Sequence, residues 1–69
     1  MQNITITING HKKEIKNNTT IKKLLEDLKV LDKTMAVAVN MKIVKKDEWD
    51  NFVLHEGDKI EALNFVGGG

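Results

Sequence analysis

The residues best suited to chemistry stand together at the end of the chain. Gly67, Gly68 and Gly69 follow directly on the apolar stretch Ile60-Glu61-Ala62-Leu63-Asn64-Phe65-Val66. Glycine has no Cβ and adopts backbone angles closed to other residues, so a glycine carboxylate on such a stalk can pass through a channel too narrow for side chains. The remaining glycines, Gly10 and Gly57, fall at expected turns, so glycine is used sparingly elsewhere. Fully extended, Val66 to Gly69 reach at most about 13–14 Å, enough to enter a pocket on another protein while the rest of the chain stays outside. A frayed end or a Gly-rich linker is the competing reading of the same residues.

Other reactive residue types form no convincing constellation. His11 and His55 each stand in or beside an expected turn, with no Ser, Cys or paired carboxylate to work with, and read as solvent-facing. Asp47, Glu48 and Asp50 lack the glycine and the ligand spacing of a calcium loop and read as a solvated acidic turn. The chain has no Cys, which removes disulfides, thiol nucleophiles and the usual structural zinc sites. No metal is expected. Met1, Met35 and Met41 show no helical stripe and read as packing and turn residues. Trp49 is open to two readings, a cap on the core or a recognition anchor.

A chain of 69 residues makes one small domain. At this size only about 60% of the unfolded chain's surface is buried, and the core supplies roughly 3–5 kcal/mol at most. With no staple available, the fold must rest on packing. Eleven lysines against ten acids leave a net charge of +1, and there is no Arg. Without Arg there are no bidentate forks for phosphate or guanine, and the cluster Lys42, Lys45, Lys46 is answered at once by Asp47, Glu48 and Asp50. Nucleic-acid binding is disfavoured. No apolar run is long enough to span a bilayer and the N-terminus does not form a signal-peptide core, so a soluble, cytoplasmic protein is expected, with no membrane partner.

The elements that must position the tail follow from periodicity. Ile4, Ile6 and Ile8 alternate with Asn3, Thr5 and Thr7, the period of a half-buried strand. Asn9-Gly10 then signals a type I′ hairpin turn, and His11 to Lys16 return as a charged edge strand with Ile15 inward. From Thr20 the period changes: Ile21, Leu24, Leu25 and Leu28 make one helical stripe, with Thr19 or Thr20 as N-cap and an end near Lys29 or Val30. Met35 to Val39 is an unbroken apolar run and reads as a strand buried on both faces. A turn at Asn40-Met41, a short strand at Ile43-Val44, the apolar piece Phe52-Val53-Leu54 and a turn at His55-Glu56-Gly57-Asp58 lead to a last strand from Lys59 to about Phe65. Alternation there puts Ile60, Ala62 and Val66 on one face and Leu63 and Phe65 on the other. That second face is either a contact surface for a partner or is covered by the helix or a loop.

This order fits an α+β fold in which one main helix packs on one face of a four- to five-stranded mixed sheet, with the first strand parallel to the last. Residues 1–66 form the domain and residues 67–69 a flexible tail.

The segment Ala36-Val37-Ala38-Val39-Asn40, the pair Ile43-Val44 followed by Trp49, the turn Gly57-Asp58 with Ile60, and the ending Phe65-Val66-Gly67-Gly68-Gly69 resemble the ubiquitin-like ThiS/MoaD family of sulfur carriers over essentially the whole chain. The resemblance implies a β-grasp fold and a role in thiamin (thiazole) biosynthesis, on the ThiS side of the family. MoaD-like chains tend to be longer, with a proline-bearing segment before the tail, and this chain has no proline. A MoaD-like or tRNA-thiolation carrier, or a non-catalytic ubiquitin-like binding module, are the alternatives. The family's common ending is two glycines, and Gly67 is a third.

In the chemistry so implied, a ThiF-like adenylyltransferase using ATP and Mg activates the Gly69 carboxylate. Sulfur from a persulfide donor of a cysteine desulfurase system then replaces AMP, and the resulting thiocarboxylate is delivered to a ThiG-like thiazole synthase. The carrier binds no cofactor and is a cosubstrate rather than an enzyme. Gly69 is the reacting residue, and Gly67, Gly68, Val66, Phe65 and Leu63 are the expected partner-binding residues.

Overall fold

The computed structural model describes residues 2–64. Strand β1 (Asn3–Ile8) pairs antiparallel with β2 (His11–Lys16) in a continuous register from Asn3 opposite Lys16 to Ile8 opposite His11. The turn between them holds Asn9 at φ 50° and Gly10 at φ 83°, the two positive values that a type I′ turn requires. Ile15 faces Ile4 and is buried, while most of the β2 charges point to solvent along the sheet edge.

Helix α1 (Ile21–Asp27) carries Ile21, Leu24 and Leu25 on its buried face, each with no exposed surface. Burying side chains of this size stabilises the fold by about 1.5–3 kcal/mol apiece. Thr20 is the N-cap, its hydroxyl accepting from Lys23 N at 3.1 Å, whereas the Thr19 hydroxyl donates back to Lys16 O. The first two helical N–H groups find carbonyls in the later loop, Ile21 N donating to Phe52 O and Lys22 N to Trp49 O. Helix α1 ends earlier than its apolar spacing predicts. Leu28 is the C-cap, and Lys29 takes φ 61° and reverses the chain. Val30 N then donates to Leu25 O and Lys29 N to Glu26 O, the paired bonds of a Schellman motif built without glycine.

A 3₁₀ turn at Leu31–Lys33 leads into β3 (Thr34–Val39), which pairs with β4 (Lys42–Val44) across a second turn with two positive φ values, Asn40 at 51° and Met41 at 72°. The loop after β4 begins with a 3₁₀ turn at Lys46–Glu48 and buries Trp49, whose Nε1 donates to Val44 O at 2.9 Å. Trp49 therefore caps the core and is no recognition anchor. The loop pairs with the start of the helix through a Thr20–Val53 bridge before β5 (Lys59–Asn64) runs through the middle of the sheet. The strand order is β2-β1-β5-β3-β4, with β1 and β5 parallel and the other neighbours antiparallel.

Ile6, Val37, Val39, Val44 and Ile60 form the inner face under α1, closed by Trp49 and Leu54. The expectation that the β3 run is buried on both faces is not met. Ala36 and Ala38 point away from the helix and are only half-buried, and Met35 is exposed. A single helix covers a single face, and small alanines leave little apolar area on the other, so an unbroken apolar run satisfies a one-sided strand.

Candidate functional site

Strand β5 leads to the glycines, and its surroundings fix it from both sides. Where β1 ends, Asn9 N donates to Ile60 O at 2.9 Å, and the Asn9 side chain accepts from Ala62 N at 2.9 Å and donates to Ala62 O at 3.3 Å. Where β3 ends, Asn40 N donates to Lys59 O at 2.8 Å, and Asn40 Oδ1 accepts from Lys59 N at 3.0 Å. Asn40 Nδ2 also donates to Asp58 Oδ1, and Asp58 Oδ2 accepts from His55 N, which closes the turn that feeds β5. The positive φ required by each hairpin is one asparagine tolerates, and its amide then imitates a further peptide group of the ladder.

On the face of the sheet away from α1, an apolar patch is exposed over β3, β4 and the end of β5, bordered by the charged Glu61. Ala36 lies opposite Leu63, and Ala38 lies between Glu61 and Ile43. These residues line a shallow groove with an alanine floor. Leu63 is 59% exposed and Ile43 73%, so among the described residues neither helix nor loop covers them. Met35 is half exposed. It stands where the β3–β5 register shifts between Thr34 and Ala36, the signature of a bulge.

Of the residues expected to act, Leu63 sits on this face. Phe65, Val66, Gly67, Gly68 and Gly69 lie outside the described residues. His11 and His55 are exposed at their turns, and Asp47, Glu48 and Asp50 are exposed in the loop that holds Trp49. Among the described residues no three His, Cys, Asp or Glu side chains converge to hold a metal ion. No helix among the described residues is long and apolar enough to cross a membrane. Asn9, Asn40 and Ile43 escape a reading by periodicity. Their roles depend on strands brought together from distant parts of the chain, and only the turn propensity of the two asparagines marks them.

A five-stranded mixed sheet, with one helix on one face and its central strand leading to a glycine run, defines the β-grasp class of small carrier and modifier proteins. The family model described as "ThiS family" matches residues 6–69, and the chain belongs to that family. The sulfur carrier protein ThiS of Escherichia coli is 32% identical over 50 residues, covering 72% of this chain and 76% of that protein. A thiazole synthase of Paramagnetospirillum magneticum is 34% identical over 64 residues, or 93% of this chain. A second, from Magnetococcus marinus, matches to the same extent, and the chain spans only 20% of the length of each synthase. The crystal structure of the thiamine biosynthesis protein ThiS from Geobacter metallireducens superposes with a TM-score of 0.78 at 27% identity, covering 96% of this chain and all of that one. The solution structure of a thiamine biosynthesis protein from the same organism gives 0.76 at 28% identity, over 96% and 88%.

Proposed function

We propose that this protein is a sulfur carrier of thiazole formation and that its working group is the Gly69 carboxylate. The observation that carries this is the family match itself, which runs through Gly69 and so takes in the glycine run together with the body. A carboxylate is a poor acyl donor because its leaving group is oxide, so it must be activated. One carboxylate oxygen attacks the α-phosphorus of Mg-ATP in a ThiF-like adenylyltransferase, pyrophosphate leaves, and an acyl-adenylate forms. A persulfide sulfur then attacks the acyl carbon and AMP departs. A thiol cleaves the resulting acyl disulfide, leaving a thiocarboxylate on Gly69 and a new disulfide on the donor side. The carrier itself supplies no thiol, having no Cys.

A thiazole synthase as the acceptor is supported by the two relatives of that name, within which a stretch similar to this chain forms about a fifth of the polypeptide. The body serves as the handle. Leu63 and Ile43, with the alanine groove between β3 and β5, present an apolar face on the strand that leads to the tail, and Phe65 and Val66 continue that strand's sequence toward it. Gly67 and Gly68 keep the final segment free of side chains where an enzyme channel must close around it.

Reconstitution tests the reading. With an adenylyltransferase, ATP, a persulfide source and a thiazole synthase, the full chain supports thiazole formation, and the same chain lacking Gly68-Gly69 does not. Equal thiazole yields from the two chains overturn it.

A further inference from the structure

We propose that the β-bulge at Met35 steers β5, and that Thr34 is a positioning residue for the chemistry at the end of the chain; this rests on the sulfur-carrier reading. Along β3, Val37 and Val39 point inward and Ala36 and Ala38 outward, so strict alternation would place Thr34 on the outer face with the alanines. It is instead 1% exposed. Thr34 pairs with Asn64 while Ala36 pairs with Leu63, so Met35 is an extra residue with no partner on β5. The insertion leaves Met35 half exposed and turns the Thr34 side chain inward.

That hydroxyl ties three elements together at Asn64, the last described residue of β5. It donates to Val30 O, in the segment just after α1, at 2.7 Å. The Asn64 side-chain amide lies 3.1 Å from the same oxygen, with Oδ1 turned toward it. One hydroxyl proton cannot serve two acceptors, and exchanging the amide's O and N lets Asn64 Nδ2 donate to Thr34 Oγ1 so that both contacts hold. A position this buried would take valine on packing grounds alone, since a hydroxyl needs partners to be tolerated there. The partners it has are the helix exit and the root of the tail.

Five residues follow Asn64, the last of them Gly69, with a maximal reach of about 17 Å. The clamp fixes the point and the direction in which the chain leaves the sheet toward Gly69, and misplacing reacting groups by about 1 Å costs on the order of 100-fold in rate.

The test compares Thr34→Val, Thr34→Ser and Asn64→Ala with the unaltered chain in two assays. Amide exchange by NMR needs no partner: Thr34→Val and Asn64→Ala are expected to speed exchange at Leu63 and Asn64 about tenfold relative to Ile60, and Thr34→Ser to restore it. Pyrophosphate release with a ThiF-like adenylyltransferase and Mg-ATP is expected to show kcat reduced about tenfold in the same two variants, KM for the carrier within about twofold, and Thr34→Ser near the unaltered value. Unchanged exchange ratios in both Thr34→Val and Asn64→Ala overturn the clamp. Faster exchange with unchanged kcat overturns the positioning role and leaves the sulfur-carrier reading standing. No pyrophosphate release from the unaltered chain overturns that reading, and the positioning role with it. Asn64→Ala, at a half-buried strand end, keeps the test decisive should Thr34→Val fail to fold.

Discussion

Asn9 and Asn40 hold equivalent places on opposite edges of β5. Each is the first residue of a two-residue hairpin turn with positive φ at both positions, and each donates its backbone N–H to a β5 carbonyl. Each also bonds β5 peptide groups through its side-chain amide, Asn9 at Ala62 and Asn40 at Lys59. The strand that leads to the glycines is thus gripped where both neighbouring strands have turned away.

Replacing either asparagine by glycine keeps the turn conformation and removes only the amide. Asn9→Gly and Asn40→Gly are each expected to lower stability by about 1 kcal/mol, the net worth of partly exposed hydrogen bonds. Urea denaturation with an unchanged slope checks this. Loss of far less would mean that water replaces the amides without cost.

Lys29 ends α1 at φ 61°, and Met41 occupies the second turn position at φ 72°. Side chains with a Cβ are strained in this region by roughly 1–2 kcal/mol, and glycine is not. Lys29→Gly and Met41→Gly are each expected to raise stability by about 1 kcal/mol after the entropy of glycine in the unfolded chain is subtracted. The midpoint of thermal unfolding reports the gain.

Trp49 fills the core under the loop after β4, and its Nε1 donates to Val44 O. Trp49→Phe keeps an aromatic ring but loses the indole's hydrogen bond to Val44 O and leaves a gap, so a loss of about 2–3 kcal/mol is expected from denaturant unfolding.

Leu63 and Ile43 behave oppositely, because their exposure means that the fold does not rest on them. Leu63→Glu and Ile43→Glu are expected to change unfolding free energy by no more than about 0.5 kcal/mol. Under the proposed function, the same substitutions reduce kcat/KM for adenylation about tenfold or more, as loss of an interface anchor does.

Much of this fold is legible in the sequence because local signals agree. The Ile4, Ile6, Ile8 alternation, the Asn9-Gly10 turn and the Ile21, Leu24, Leu25 stripe each have one easy interpretation, and together they leave few ways to build a sheet with one helix. The stripe continues to Leu28, yet the helix stops at Asp27 because Lys29 takes a conformation that its residue type does not announce. The openness of the outer face is hidden for another reason: alanine is apolar enough to look buried and small enough not to be. The bulge at Met35 and the Asn9 bonds to Ala62, fifty-three positions away, belong to tertiary pairing and leave no local trace. For the site the balance reverses. The glycine run is conspicuous in composition, while the exposed Ile43 and the clamp at Thr34 emerge only once the strands are side by side.

The central claim, that the reactive group is the main-chain carboxylate of Gly69, is tested most directly by intact-mass and fragment-mass analysis. The chain is incubated with a ThiF-like adenylyltransferase, Mg-ATP and a persulfide source, and sulfur is located along it. The predicted result is one oxygen replaced by one sulfur, confined to the C-terminal fragment that contains Gly69 and absent from a chain lacking Gly68-Gly69. Sulfur carried on any other residue, or an unchanged mass where a known ThiS is converted in parallel, contradicts it.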